Sequence, residues 1–272
     1  MSKSAYYAWR SREPSQRAVA DKHLLARIRD VHRESGGTYG APRVHAELRE
    51  AHGVRVGRKR VARLMRSAGL VGVHRRRHAS PKAAEAAVQA PKAFENRLDG
   101  DFTAEAPDRR WVADITQHKT SEGWLYLAVV LDLFQRAIVG WAMAERMTGE
   151  LVVDALETAL TRRRPKRGVL HHSDRGGQYR SLTLGQRLRD SGLIGSMSRP
   201  GRPADNAAME SFFASLQTEL LDRRRWVSRS ELQTAIFHYI EVFYNRRRRH
   251  STLGYLSPAE YERRYHQQQA AT

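Results

Sequence analysis

Between Arg110 and His118, apolar and polar side chains change places residue by residue. Val112, Asp114 and Thr116 share one face; Trp111, Ala113 and Ile115 share the other. That period of two predicts a half-buried β-strand. Gly123 then opens WLYLAVVLDLF, a near-continuous apolar run, as expected of a strand covered on both faces. RAIVGWAMAE is a third strand, one short turn further on. After it the period lengthens. GELVVDALETALTRR sets Leu151, Val152, Ala155, Leu156 and Leu160 on one helical face. GVLHHSD is a fourth strand, SLTLGQRLRDSG a helix and LIGSMSR a fifth strand. A last core helix, opened by Asp205, carries the stripe Met209, Phe212, Phe213, Leu216 and Leu220. Three meandering strands, then helix, strand, helix, strand, predict an α/β fold: a mixed sheet covered by helices.

The front of the chain has helical periods only. Leu24, Leu25, Ile28, Val31 and His32 line one helix, which Gly36 and Gly37 end. A second helix starts near Pro42, where a missing N–H is harmless, with Val44 and Leu48 inward. GVRVG reads as a tight turn. RKRVARLMRSAGL is a third helix, with Val61, Leu64 and Met65 inward and Gly69 as its cap. A short helix, a glycine turn and a basic helix make a helix-turn-helix pattern.

Charge sharpens that division. The 272 residues carry 48 Lys and Arg against 29 Asp and Glu, a net +19. Residues 1–80 hold 19 of those cations and 6 of the acids, a net +13; residues 81–100 are neutral, and 101–272 are net +6. We therefore expect a basic helix-turn-helix module over 1–80, a linker over 81–100 (Pro81, Pro91 and many Ala) and an α/β body over 101–272. The third helix presents Arg58, Lys59, Arg60, Arg63 and Arg66, with Arg75, Arg76 and Arg77 just beyond. The plain alternative is a solvated face; the density of cations favours double-stranded DNA as partner. The absence of Cys excludes a disulfide scaffold, a thiol nucleophile and a Cys-ligated zinc site, and fits a reducing compartment. No run of about 18 apolar residues suggests a membrane span, and the N-terminus lacks the apolar region of a secretory signal.

Three acids stand apart from the solvated charges. Asp114 lies mid-strand among apolar neighbours, Asp174 ends a strand before Arg175-Gly176-Gly177, and Glu210 flanks the apolar stripe of its helix. An ion pair with one of the many arginines would explain any one of them. Clustered at strand ends, the trio suits a hard cation with oxygen ligands and open positions. Two such ions can activate a nucleophilic oxygen and stabilise the leaving oxygen of a phosphodiester.

WVADITQH, HHSDRGGQY and DNAAMESFFASLQTEL resemble the catalytic motifs of retroviral-integrase-like transposases, and most of all the second-frame product of the IS3 family of insertion sequences. Fifty-nine residues separate Asp114 from Asp174 and thirty-five separate Asp174 from Glu210. The second gap matches the family's DD(35)E signature. YGAPRVHAELRE, RKRVARLMRSAGLVG and the C-terminal YIEVFYNRRRRHSTLGYLSPAEYE resemble its other segments, so the likeness spans nearly the whole chain. The resemblance implies an RNase H-like core, Mg²⁺ (or Mn²⁺), and DNA strand cleavage and transfer at insertion-sequence ends. It sets Asp114, Asp174 and Glu210 as catalytic metal ligands. It also implies a first-frame partner product, a homo-oligomer on DNA, and a cytoplasmic, nucleoid-associated place of work. The family commonly has Lys or Arg seven residues after the Glu, where the resemblance implies a contact to the terminal DNA; here Gln217 stands there, a DNA-contact residue that can still hydrogen-bond but lacks the charge.

Arg246 to Arg249, with Tyr244 and His250, form a basic-aromatic cluster, and Arg246, Arg247, Arg249 and His250 are expected to contact phosphates. His172 shares a strand face with Asp174, but His171 and His172 are expected to be ordinary strand residues rather than zinc ligands. Asp205 and Asn206 read as a helix cap. Asp132, near a strand end, has no assigned role. Phe237, Tyr239, Ile240 and Phe243 suggest core packing, with a contact surface as the alternative. The competing functions are a non-catalytic, regulatory DNA-binding fragment and a plain RNase H-like nuclease.

Overall fold

The computed structural model describes residues 2–4, 7, 13–73, 94–199 and 206–271. Arg75 to Arg77, residues 81–93 of the expected linker and Asp205 lie outside them. The chain divides into two units, residues 1–73 and 74–272.

The front unit has α1 (Gln16–Glu34), α2 (Ala41–Glu50) and α3 (Arg58–Ser67). Ser15 caps α1, its side chain accepting from the Ala18 N–H. Ile28, Val31, Val44, Leu48, Val61 and Leu64 are buried between the three helices. Residues 53–57, expected as a tight turn, form an irregular connection. Ala68 is the C-cap of α3, and Gly69 follows it at a φ of 65°. There the Leu70 N–H donates to the Met65 carbonyl, a left-handed helix end.

The body is a five-stranded sheet in the order β3-β2-β1-β4-β5. Its strands are β1 (Arg110–Thr120), β2 (Gly123–Asp132), β3 (Ile138–Ala144), β4 (Leu170–Ser173) and β5 (Ile194–Met197). The first three pair antiparallel; β4 pairs parallel with β1, and β5 parallel with β4. Helices α4 (Gly149–Arg163) and α5 (Leu182–Asp190) make the crossovers. They are followed by α6 (Ala207–Glu219), α7 (Arg229–His238), a π-helical segment Tyr239–Tyr244, and α8 (Pro258–Ala270).

The alternation in β1 sorts its side chains between two cores. Val112 packs with Met209, Phe212 and Leu216 of α6, together with Ile236 and Ile240. Trp111 and Ala113 pack with Leu151, Ala155 and Leu156 of α4 and with Leu184 of α5. Asp114, two residues on from Val112, therefore faces the α6 side.

The expected linker runs too far. Leu98 is buried in the first core and Phe94 packs on the second. The Arg97 N–H donates to the Ser196 hydroxyl at 2.9 Å, so this stretch follows the β5 edge. Low hydrophobic periodicity hid it, because only two apolar side chains anchor it. The aromatic segment Phe237–Phe243 packs into the core through Tyr239 and Ile240, whereas Phe237 is exposed with its ring edge-on to Trp141. Among the described residues, no helix is long and apolar enough to cross a membrane.

Candidate active site

Parallel pairing brings two acids to one sheet end. Ala113 stands opposite Ser173, so the next positions along the two strands are Asp114 and Asp174. Adjacent strands lie about 4.8 Å apart, and the two side chains share a face. Glu210 is in the first turn of α6, which packs on that face, and its side chain is exposed.

The electrostatics report the same convergence. The Asp114 carboxyl is pushed up to about 8, first by burial and then by the negative charges of Asp174 and Glu210. Two donors act against this rise: the Ile115 N–H at 2.8 Å to Oδ1 and the Asn206 Nδ2 at 3.0 Å to Oδ2. Asp174 Oδ1 accepts from the Gly176 N–H at 2.9 Å. A side chain at 176 would bring its Cβ within 3.0 Å of that oxygen, so glycine keeps the loop close to the carboxylate. Tyr179 is fully buried nearby; burial and the charges of Asp114 and Asp174 push its phenol well above 10.

Among the described residues, no three His, Asp or Glu side chains already stand at the spacing of a closed metal cage. The donor set nevertheless fits a hard cation. Burial first, and then the charges of Asp174 and Glu210, disfavour the ionised Asp114, and a cation would relieve both. The Asn206 Oδ1 is buried and has no hydrogen-bond partner among the described residues. The three carboxylates offer only oxygens, as Mg²⁺ prefers.

Asn206 corrects the expected cap. It occupies the N-cap position of α6, but its side chain makes no capping bond. The amide turns to Asp114 instead, forgoing a cap worth about 1 kcal/mol. Spacing could have found it: Asn206 precedes Glu210 by one helical turn, hence on the same face.

The two histidines are core residues. Both ring nitrogens of His172 are engaged, by Ser196 at 2.8 Å and Ser198 at 3.1 Å. His171 is buried in register with Trp111, and burial together with His172 holds it down at about 4. Asp132 is structural too: it accepts from the Asp108 and Phe134 N–H groups and so fastens the β2–β3 turn.

The cation cluster after α7 separates into two kinds. Arg246 and Arg247 are exposed, as a phosphate contact requires. Arg249 and His250 are not available to DNA in this structure. Arg249 is buried and bonds Glu260 at 2.6 Å, and that glutamate completes the capping box of α8 with Ser257. His250 is buried, with its ring edge-on to Tyr244 at 4.9 Å. A run of arginines looks uniform in sequence; the turn through 250–257 decides which ones face inward.

In the front unit, Arg58, Lys59 and Arg66 are exposed on α3. Arg60 and Arg63 both grip Asp21 of α1, at 2.7 and 2.5 Å. Gln217 donates to Asp222 just past the end of α6.

Residues 104–203 and 192–258 each match a family described as an integrase core domain, and residues 19–78 match an HTH-like domain. The chain is 44% identical, over 99% of its length and 98% of the relative's, to a 31 kDa protein of insertion element IS600 from Shigella sonnei. It is 42% identical, over 96% of its length and 90% of the relative's, to the transposase InsF for insertion sequence IS3A of Escherichia coli K12. The chain belongs to the IS3 family of transposases. This transposase is thus a DNA-cleaving and strand-transferring enzyme, with an integrase core behind a helix-turn-helix unit. Among solved structures, the magnesium-bound catalytic core of HTLV-2 integrase in its trimeric form is similar at 15% identity and a TM-score of 0.45, over 58% of this chain and 99% of that one.

Proposed function

We propose that the transposase cuts and joins strands at the ends of an insertion sequence with Asp114, Asp174 and Glu210 as the ligands of Mg²⁺ or Mn²⁺. The observation that carries this reading is the pairing of Ala113 with Ser173, which sets Asp114 and Asp174 side by side at one end of the sheet, with Glu210 in the first turn of the helix packed on that face. A divalent cation there would supply Lewis acidity for the attacking and leaving oxygens of the phosphodiester. The chain supplies the frame. The Ile115 N–H and Asn206 orient Asp114, and the Gly176 N–H fixes Asp174. The exposed cations of α3, with Arg246 and Arg247, hold phosphates on a chain of net charge +19.

Joining an element needs two ends held at once, and one triad serves one end at a time. The working form is therefore a homo-oligomer assembled on DNA, with a first-frame product as a further partner in end recognition. This places the work at the nucleoid, in the cytoplasm. Asp174→Asn tests the reading. It abolishes Mg²⁺- or Mn²⁺-dependent cleavage of an element-end duplex and leaves circular dichroism and duplex binding unchanged. A mutant that cuts at the wild-type rate overturns it.

A further inference from the structure

We infer that Asn206 is a positioning residue of the active site, holding Asp114 in the orientation that receives the metal. The inference rests on the metal-site reading above and adds a fourth side chain to it. Asn206 stands at the first step of α6, where an asparagine ordinarily turns its amide oxygen back on the helix N–H groups. Here it makes no such bond. Its Nδ2 donates instead to Asp114 Oδ2 at 3.0 Å, and its Oδ1 stays buried without a hydrogen-bond partner among the described residues. Buried amide oxygens are nearly always satisfied. This one goes unsatisfied so that the nitrogen can face the carboxylate. The opposite amide orientation would set oxygen against oxygen.

The consequence for Asp114 is geometric. Each carboxylate oxygen now accepts one bond, Oδ1 from the Ile115 N–H and Oδ2 from Asn206. An oxygen of a carboxylate has two lone-pair directions, so one remains on each for a cation. The plane of the group is fixed from both sides. The link also runs between secondary-structure elements. Asp114 belongs to β1, while Asn206 begins the helix that carries Glu210 one turn later. One amide therefore ties the strand acid to the helix that bears the third acid. No other side chain among the described residues donates to Asp114 in this structure.

The test uses the full chain, with Mn²⁺ as probe. Mn²⁺ binding is measured by electron paramagnetic resonance, without DNA, for the wild type, Asn206→Ala and Asp114→Asn. Asn206→Ala is expected to weaken Mn²⁺ binding about tenfold while the melting temperature and duplex binding stay at wild-type values. In cleavage assays the half-saturating Mn²⁺ concentration rises by a similar factor, and the rate at saturating Mn²⁺ stays within about threefold of wild type. A purely structural role would not divide the two quantities in that way. Wild-type Mn²⁺ affinity in Asn206→Ala, with Asp114→Asn deficient, overturns the role of Asn206 and leaves the metal site standing. Wild-type affinity in Asp114→Asn overturns the metal-site reading itself. A melting temperature that collapses in Asn206→Ala overturns positioning in favour of a structural role.

Discussion

Glu219 and Arg248 form a two-bond ion pair sealed from water, each bond 2.7 Å long, with side chains only 3% and 6% exposed. The Tyr239 hydroxyl donates to the same carboxylate at 2.9 Å, and Ser215 accepts from the guanidinium at 3.0 Å. The pair joins the end of α6 to the segment after α7, so the helix that starts with Asn206 and Glu210 is anchored at its other end. Arg248 looked like one of four equivalent cations, and it is instead an internal brace.

Removing one partner leaves the other charge buried and unpaired, which costs about 3–5 kcal/mol. Glu219→Ala should lose stability on that scale. Urea unfolding followed by tryptophan fluorescence measures it, since Trp111, Trp124, Trp141 and Trp226 all lie in the body. A change below about 1 kcal/mol would show that the pair contributes nothing beyond its surroundings.

The acids of the active site set a pH dependence. Asp114 binds its proton up to about pH 8 in the folded protein, whereas an unfolded Asp releases it near 4. The folded state thus holds the extra proton between those values, and the Asp114 contribution to metal-free stability falls as pH rises from about 4 to about 8; His171, held down at about 4, works in the opposite direction up to its ordinary value. Asp132, pushed up to about 7 mainly by burial, adds in the same direction as Asp114, and both carboxyls titrate between pH 7 and 8. Thermal melts without metal should show the slope there, and Asp114→Asn should reduce it to the share of Asp132. Proton and cation compete, so Mn²⁺ affinity should rise by up to about tenfold per pH unit from 6 and level off near 8. Mn²⁺ at a hundred times its dissociation constant should add about 2.7 kcal/mol at pH 8. Affinity that does not change with pH would remove Asp114 from the ligand set.

On α3, pairing with Asp21 divides the cations. Replacing Arg58, Lys59 and Arg66 together with Ala should reduce the slope of log affinity against log salt by nearly three, at about 0.9 per phosphate contact. Arg60 and Arg63 are shared with Asp21; their loss should cost less slope. Filter binding on a fixed duplex from 50 to 200 mM salt measures both. Equal slopes for the two sets of mutants would mean that the Asp21 pairs open on DNA.

Much of this was legible in the chain. The period-two face of β1 gave the side on which Asp114 points, and the motif spacing gave its two companions. The apolar stripes gave five strands in the right order. What pattern could not show was direction. Arg246 to Arg249 are alike in sequence, yet the tight segment after α7 turns Arg248 and Arg249 inward to Glu219 and Glu260. Asn206 has the type and place of a helix cap, and only the packing of α6 against β1 gives its amide a better partner. Phe94 and Leu98 sit in a stretch of little periodicity, because an extended edge segment buries single residues.

Gln217 offers a test in the direction of gain. It lies seven residues after Glu210, close to two helical turns, and so on the same side of α6. IS3 relatives commonly carry a cation there, as the sequence resemblance implies, and here the amide instead donates to Asp222. Gln217→Lys would place an ammonium between two competitors, the Asp222 carboxylate and a DNA phosphate. The first is exposed, and an exposed pair is worth about 0–1 kcal/mol, so DNA should win. We expect tighter binding of an element-end duplex by severalfold at about 100 mM salt, with a salt slope steeper by about 0.9. Folding stability should change by less than about 0.5 kcal/mol. Asp222→Asn on the Gln217→Lys background removes the competitor and should add affinity again. If neither variant binds the end duplex more tightly than wild type, this face of α6 does not meet the DNA backbone.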